Sequence, residues 1–220
     1  MAQRDGNRVP SGRDSGAALL IIVAILAIIA ALSIGTRYFG GATRGKAQRA
    51  DLMLEADVIT NAIAAFWGMY SRLPCPADIT ANDGAEAGDG TAGCDALAAS
   101  LQTIPWKTLG IPQKSVFDPW GNYLAYHVDP ALVLTGATGA GTLTVKNSAA
   151  GANIVTNAIF VLISMGPNGA GAYTSNLVLK AASTDADELE NTDGDTVYVK
   201  GGTPGGNYDD TLVYWIWSLL

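Results

Sequence analysis

The sequence contains one histidine, which any histidine-dependent catalytic triad would have to use. His127 lies in the stretch "AYHVD", whose aromatic and β-branched residues predict a strand. A histidine on a strand is more often structural than catalytic, and the sequence has no Gly-x-Ser-x-Gly nucleophile motif. We therefore predict that the protein is not an enzyme.

Two stretches are rich in glycine, as phosphate-binding loops are. They are "GATGAGT" at residues 136–142 and "GPNGAGAY" at residues 166–173. Neither has the lysine or the strand-to-helix context that such loops require. Glycine and asparagine also supply the positive φ angles of tight turns. Both stretches are therefore predicted to be turns.

The stretch "STDADELENTDGDTVYV" at residues 183–199 is dense in carboxylates, which are the ligands that calcium prefers. An EF-hand alignment on Gly194 fails because Leu189 then takes the first ligand position and Lys200 the last. A looser calcium loop is left open, with Asp187, Glu190, Asp193 and Asp195 as candidate ligands. The alternative is a solvated acidic turn, which the composition favours. Calcium is thus the one cofactor that the sequence suggests.

Cys75 and Cys94 are the only cysteines, and they enclose a long polar loop. This arrangement predicts a disulfide, which would stabilise the fold by about 3 kcal/mol and would persist only outside the cytoplasm. The alternative is a pair of unrelated free thiols. Two sulfurs without further cysteines or histidines nearby fall short of a tetrahedral metal site.

Charge is distributed unevenly along the 220 residues. Residues 1–16 carry three arginines and two aspartates, and residues 37–49 carry four basic residues and no acid. From Asp51 onward there are 18 acidic residues and 6 basic ones. Because phosphate binding needs a basic face, nucleic acid is not expected as a partner.

The charged leader ends at Gly16, and residues 17–35 carry no charge. An uncharged apolar run of this length predicts a transmembrane helix over residues 17–36. The alternative is a secretory signal peptide, with "ALS" at residues 31–33 as the cleavage site. Basic residues flank both ends of the run, so the positive-inside rule does not orient it.

A second helical pattern follows, and its apolar residues recur at spacings of three and four. They are Leu52, Leu54, Ile59, Ile63, Phe66, Trp67 and Tyr70. We predict an amphipathic continuation of the first helix over residues 37–71, ending before Pro74 and Pro76. Glycines are concentrated between the two halves at residues 35–45 and predict a hinge there.

The remaining residues, 72–220, predict a globular domain made mainly of strands. Five stretches rich in β-branched and aromatic residues are predicted strands: Tyr123–Asp129, Thr142–Val145, Ala158–Gly166, Thr196–Lys200 and Thr211–Trp217. A short helix is predicted at Asp95–Thr103. No helical pattern of sufficient length separates the later strands, so we expect one small, mostly antiparallel sheet. The fold class is α+β, with the long N-terminal helix packed on this sheet.

Five stretches of the chain resemble type IV pilins, the pseudopilins of type II secretion or related pilin-like proteins. Gly16–Ala17 is similar to the junction cut by prepilin peptidase, and "DPWGNYLAY" at residues 118–126 is similar to the turn before the first strand of major pseudopilins. The resemblance assigns Asp118, Pro119, Trp120, Gly121 and Asn122 to that turn. "LPCPAD", "GPNGAGAY" and "YDDTLVYWI" resemble a further branch of pilin-like proteins from Gram-negative bacteria.

This resemblance implies a structural subunit of a pilus or pseudopilus, cut by a prepilin peptidase. It implies a single-pass inner-membrane protein in contact with lipid, with its C-terminal domain in the periplasm or at the cell surface. The implied partners are other pilin or pseudopilin subunits and an inner-membrane assembly platform. Major pseudopilins also hold calcium in a C-terminal loop, which adds weight to the calcium hypothesis.

The chain departs from the family pattern at two positions. Most pilins place a glutamate fifth after the cleavage site, where this chain has Ile21, and prefer phenylalanine first, where it has Ala17. Loss of the glutamate marks the minor pseudopilin at the fibre tip, so the resemblance implies a minor subunit. The alternative function is a signal-anchored periplasmic binding module that enters no fibre, and the position of cleavage separates the two.

Overall fold

The structure is a computed structural model, and it describes residues 22–26, 48–81, 83–91, 94, 102–202 and 206–217. The chain divides into two compact units, Met1–Gln48 and Arg49–Leu220. In the first unit, residues 22–26 are helical and exposed. The Gly16–Ala17 junction, Ile21, the rest of the apolar run and the glycine-rich hinge lie outside the described residues.

A long helix, α1 (Gln48–Tyr70), begins the second unit. Its buried positions follow the predicted three-and-four spacing: Leu52, Ala56, Ile59, Ile63 and Phe66 are each at most 3% exposed. The helix ends at Tyr70, and the next residue, Ser71, has a φ angle of 50° and lies shortly before Pro74. The predicted amphipathic helix is therefore present from Gln48 onward.

By length and composition, α1 is the one helix among the described residues that could span a membrane. The most apolar window of this helix is 33% buried within the protein itself. Core helices of soluble domains pass the same criterion, so this is weak support for a membrane location. The helix lies C-terminal to the apolar run on which the sequence-based span rests.

A four-stranded antiparallel sheet packs against this helix. It consists of β1 (Gln102–Thr103), β2 (Ala125–Val128), β5 (Phe160–Ser164) and β7 (Thr211–Trp215), in the order β1-β2-β5-β7. All five residues of β5 are buried. Phe160 and Leu162 share a buried cluster with α1, whereas Val161 and Ile163 belong to a second cluster. Because successive strand residues face opposite sides, both faces of this sheet are covered.

The second cluster is formed with a separate three-stranded sheet. Its strands are β3 (Leu143–Lys146), β4 (Asn153–Ala158) and β6 (Val197–Val199), in the order β4-β3-β6. β3 and β4 are antiparallel, but β3 and β6 are parallel. The expectation of a single sheet is therefore wrong, while the coarser α+β fold with small, largely antiparallel sheets is confirmed.

The parallel pair has a simple topological cause. Between β3 and β6 the chain passes through two strands, a long connection and a short helix, α2 (Ala186–Glu190). Such a connection is long enough to return a strand in the same direction.

Two 3₁₀ helices, Gln113–Val116 and Pro130–Leu132, complete the described helices. The predicted helix at Asp95–Thr103 is wrong at Gln102 and Thr103, which form β1, and its other residues lie outside the described ones.

Candidate functional site

Cys75 and Cys94 form a disulfide, as predicted, with their Cα atoms 5.8 Å apart. Both residues are buried. Among the described residues there is no free cysteine. The bond closes the polar loop that follows α1 and joins it to the main core cluster.

An ion pair anchors the same loop from within. The guanidinium of Arg72 donates to both carboxylate oxygens of Glu86 at 2.8 Å, and the backbone N–H of Cys75 donates to Glu86 Oε2 at 3.0 Å. The side chains of Arg72 and Glu86 are 4% and 13% exposed. Gly90, with a φ angle of 81°, lies against the Arg72 side chain, where a Cβ atom would collide. These contacts give the described part of the loop a structural role.

The Asp118–Asn122 stretch forms a tight turn held by one buried carboxylate. Asp118 Oδ1 accepts hydrogen bonds from the backbone N–H groups of Trp120 and Asn122 at 3.0 and 2.9 Å. Asp118 Oδ2 accepts from the hydroxyl of Ser164 at 2.9 Å, which ties the turn to β5. Pro119 follows Asp118 within the turn. Gly121, also in the turn, has a φ angle of 83°. The geometry gives this motif a structural role.

His127 is fully buried and connects the two sheets. Its Nδ1 atom is hydrogen-bonded to the hydroxyl of Tyr198 on β6, and the two rings pack edge to face. Burial raises the pKa of Tyr198 well above its ordinary value, so this phenol stays neutral. The pair holds the sheets together from inside the core.

The four calcium ligands suggested by the sequence do not converge in the structure. Asp187 Oδ1 accepts from the backbone N–H of Ala149, 2.6 Å away, and Glu190 lies 3.9 Å from the ammonium of Lys146. The carboxylates of Asp193 and Asp195 each accept from a backbone N–H two residues further on. The assignment of these four residues to one calcium site stays a prediction without support from their geometry.

A different acidic group does converge. Glu188 on α2 and Asp209 and Asp210, just before β7, each place one carboxylate oxygen within 4.8 Å of the others. Glu188 is 1% exposed and Asp210 is 5% exposed, while Asp209 is partly exposed. Among the described residues this is the only group of three or more potential metal-ligating side chains at such distances.

Two asparagines orient these carboxylates. The side-chain amide of Asn168 donates to Glu188 Oε1 and Oε2, both at 3.1 Å. The amide of Asn191 donates to Asp210 Oδ2 at 2.9 Å, and its own oxygen accepts from the backbone N–H of Val199. The backbone N–H of Asp209 donates to Glu188 Oε1 at 3.0 Å. The cluster therefore joins the "GPNGAGAY" turn, α2 and the segment before β7.

The three carboxyl groups are too close together and too buried for all of them to ionise readily. Burial, together with the charges of Glu188 and Asp209, raises the pKa of Asp210 to about 8. Burial and the Glu188 carboxylate raise the pKa of Asp209 to about 6. The Oδ1 atoms of Asp209 and Asp210 are buried and accept no hydrogen bond from an N–H or hydroxyl group, and a hydrogen bond to Glu188 contributes to the raised pKa of Asp209. Protonation of one of these carboxyl groups relieves the repulsion between them.

No protein-family model matches this chain, and neither a curated protein nor a solved structure is significantly similar to it.

Proposed function

We propose that this chain is a minor, pilin-like structural subunit, anchored in the inner membrane and assembled into or at the tip of a type IV pilus or type II secretion pseudopilus. The observation that carries the proposal is the two-sided character of α1. One side of this helix forms the domain core, and the other side presents large apolar residues to solvent.

The outer side of α1 is unusually apolar for a surface. Leu54, Val58 and Met69 are 65%, 45% and 71% exposed. Leu54 and Val58 lie one helical turn apart and therefore share a face. Exposed apolar residues that cluster in this way commonly mark a surface that packs against another protein. A bundle of like helices, as in a pilus, would bury this face.

The sequence upstream of α1 supplies the second part of the argument. A charged leader ends at Gly16 and an uncharged run follows, which is the arrangement of a prepilin-type anchor. The Cys75–Cys94 disulfide supports a location outside the cytoplasm, where such bonds persist. The proposed partners are a prepilin peptidase, other pilin or pseudopilin subunits and the inner-membrane assembly platform.

The proposal does not require the chain to perform chemistry. His127 is buried between the two sheets and hydrogen-bonded to Tyr198, so its role is explained by packing. The cut after Gly16 would be made by the partner peptidase, which frees the apolar helix from its charged leader.

Cleavage of the full-length chain in the presence of a prepilin peptidase tests the proposal. N-terminal sequencing of the membrane-extracted protein should begin at Ala17. A bulky substitution, Gly16→Val, should block the cut, whereas the matched control Gly12→Val should not. A mature protein that begins at Ile34 would support the alternative of a signal-peptide-exported binding module. A protein that still begins at Met1 would indicate a plain membrane anchor, and either result would contradict the proposal.

The helix face can be tested independently of cleavage. Leu54→Gln and Val58→Gln alter exposed side chains and should leave the fold unchanged, but they should weaken co-purification with other subunits of the system. Asn61→Gln changes a polar residue that is also exposed on α1 and should leave co-purification intact. Equal recovery of partners with all three variants would remove the observation on which the proposal rests.

A further inference from the structure

We propose that Asp210 is a neutral carboxylic acid in the folded domain, and that its proton allows the start of β7 to pack against α2 and β6. A rise in pH that removes this proton would weaken the contact, which makes it a pH-sensitive element of the domain. The inference rests on the described carboxyl groups and their hydrogen-bond donors, and it does not depend on the proposed function.

The carboxyl groups of the cluster receive unequal numbers of hydrogen bonds. The amide of Asn168 donates to both oxygens of Glu188, and the backbone N–H of Asp209 donates to one of them. Asp210 accepts from the amide of Asn191 through Oδ2, whereas its buried Oδ1 accepts from no N–H or hydroxyl group. Donors favour the charged form of a carboxyl group and burial favours the neutral form. Glu188 is therefore the better carrier of the charge, and Asp210 the better carrier of a proton.

The charged groups around Asp210 are themselves acidic. Its side chain is 5% exposed, and the charges of Glu188, Asp209 and Asp185 all act on it. Among the described residues, no ion pair includes a member of the cluster. Arg49 on α1 acts on Asp209, against the larger effects of burial and Glu188. A second buried negative charge is costly in such surroundings, and a proton on Asp210 removes it.

The pKa of Asp210 agrees with this geometry. Burial, together with the charges of Glu188 and Asp209, raises this pKa to about 8, although the hydrogen bond from Asn191 lowers it. An ordinary aspartate in an unfolded chain loses its proton near pH ~4, so the folded domain holds a proton at neutral pH that the unfolded chain does not. Burial also raises the pKa of the neighbouring Tyr208, so this phenol stays neutral throughout the range.

Asp210 lies where edge strands of the two sheets meet, since it directly precedes β7 and is linked to β6. The link is Asn191, whose amide donates both to Asp210 Oδ2 and to the carbonyl oxygen of Val199. The oxygen of the same amide accepts from the N–H of Val199, and the hydroxyl of Tyr208 donates to the Val199 carbonyl. Ionisation of Asp210 would place its charge beside that of Glu188 and so repel the start of β7 from α2.

The stability of the domain should therefore fall as the pH rises. Because the folded state retains a proton that the unfolded chain has lost, Asp210 should raise the unfolding equilibrium constant by up to about tenfold per pH unit between about pH 5 and 7. The effect should level off above about pH 8, where the folded state loses the proton too. Asp209 is partly exposed and has a pKa of about 6, so it adds a smaller effect at the lower end of this range.

Urea unfolding of the full-length protein, in detergent and with chelator present, tests this pH dependence between about pH 5 and 8. In Asp210→Asn an amide N–H takes the place of the acid O–H. This variant should unfold with a shallower pH dependence than the wild type, by up to about tenfold per pH unit in the equilibrium constant. The matched control Asp193→Asn also removes one negative charge, but from an exposed loop, and should keep the wild-type dependence. Equal pH dependence in the wild type and Asp210→Asn would overturn the proposal.

Infrared spectroscopy detects the proton directly and covers the case in which a variant fails to fold. The wild-type protein at neutral pH should show the C=O band of a protonated carboxyl group, and this band should disappear above about pH 9. It should be absent from Asp210→Asn and present in Asp193→Asn, with circular dichroism confirming that both are folded. A wild-type spectrum that shows only ionised carboxylates at neutral pH would overturn the proposal. A band that persists in folded Asp210→Asn would place the proton on another residue and overturn it as well.

Discussion

The side-chain amide of Asn168 lies 3.1 Å from each carboxylate oxygen of Glu188 and donates to both. The two residues are 20 positions apart in the chain and belong to a glycine-rich turn and to α2. Glu188 is 1% exposed, so its charge depends on this amide and on the N–H of Asp209. The contact links the "GPNGAGAY" turn to the acidic cluster.

Loss of this amide should therefore destabilise the domain. Asn168→Ala leaves a buried carboxylate with fewer donors, and we expect the free energy of unfolding in chelator to fall by about 1–3 kcal/mol. The melting temperature should drop by roughly 2–4 °C per kcal/mol. Asn176→Ala, at an exposed asparagine in the same connection, is the control and should have little effect. Equal melting temperatures for the two variants would contradict the importance of the contact.

Loss of the Arg72–Glu86 ion pair should lower the free energy of unfolding of the domain. Glu86→Gln leaves the guanidinium of Arg72, 4% exposed, without its counter-charge, and removing one partner of a buried pair costs about 3–5 kcal/mol. Because Glu86 retains some exposure, we expect the lower end of this range. Urea unfolding monitored by tryptophan fluorescence would measure it. Asp83→Asn, at an exposed residue of the same loop, should leave the midpoint unchanged.

The disulfide should stabilise the domain through its effect on the unfolded chain. Cys75 and Cys94 are 19 positions apart, and closing a loop of this size contributes about 3 kcal/mol. The double variant Cys75→Ser/Cys94→Ser should therefore have a lower urea midpoint in buffer without reductant. Mass spectrometry of non-reduced peptides from the wild type should find the linked pair. Two alkylatable thiols in protein isolated without reductant would contradict the bond.

Much of the fold follows from local patterns in the sequence. The three-and-four spacing of Leu52, Ile59 and Ile63 predicted the buried face of α1. The continuous apolar run that contains β5 predicted a strand, and its uniform character is explained by burial of both faces. Strand β4 was not predicted. It is an edge strand of mostly exposed residues, and its sequence, "NIVTNA", shows little alternation of polar and apolar side chains.

The acidic cluster could not be predicted in the same way. Carboxylates are usually exposed, and the local composition of residues 183–199 favoured a solvated acidic turn, with a calcium loop as the alternative. Glu188, Asp209 and Asp210 meet only because α2 and the start of β7 are adjacent in the folded domain. The stretches "GPNGAGAY" and "YDDTLVYWI" both stand out in the sequence, but nothing local indicates that the amide of Asn168 in the first binds Glu188, or that Glu188 meets the two aspartates of the second. The parallel β3–β6 pair could not be predicted locally either, because its two strands are far apart in the sequence.

The last prediction concerns Ile21, which lies outside the described residues and stands where most pilins have glutamate. A repeating fibre of that family needs each subunit to neutralise the buried N-terminal amine of the next, because an unpaired charge in an apolar bundle is costly. A terminal subunit has no such requirement. We therefore expect the protein to be sparse relative to a glutamate-bearing major subunit of the same system.

Site-specific photo-cross-linking from position 21 provides the measurement. The wild-type chain should cross-link mainly to other minor subunits and not to itself. Ile21→Glu restores the carboxylate and should increase incorporation within the fibre, against an insertion cost of about 2.5–3.5 kcal/mol at mid-membrane and less near the helix end. Ile21→Leu, which adds no charge, is the control and should behave as the wild type. A ladder of wild-type self-cross-links would show that this chain repeats along a fibre without the acid, and the tip position would then be wrong.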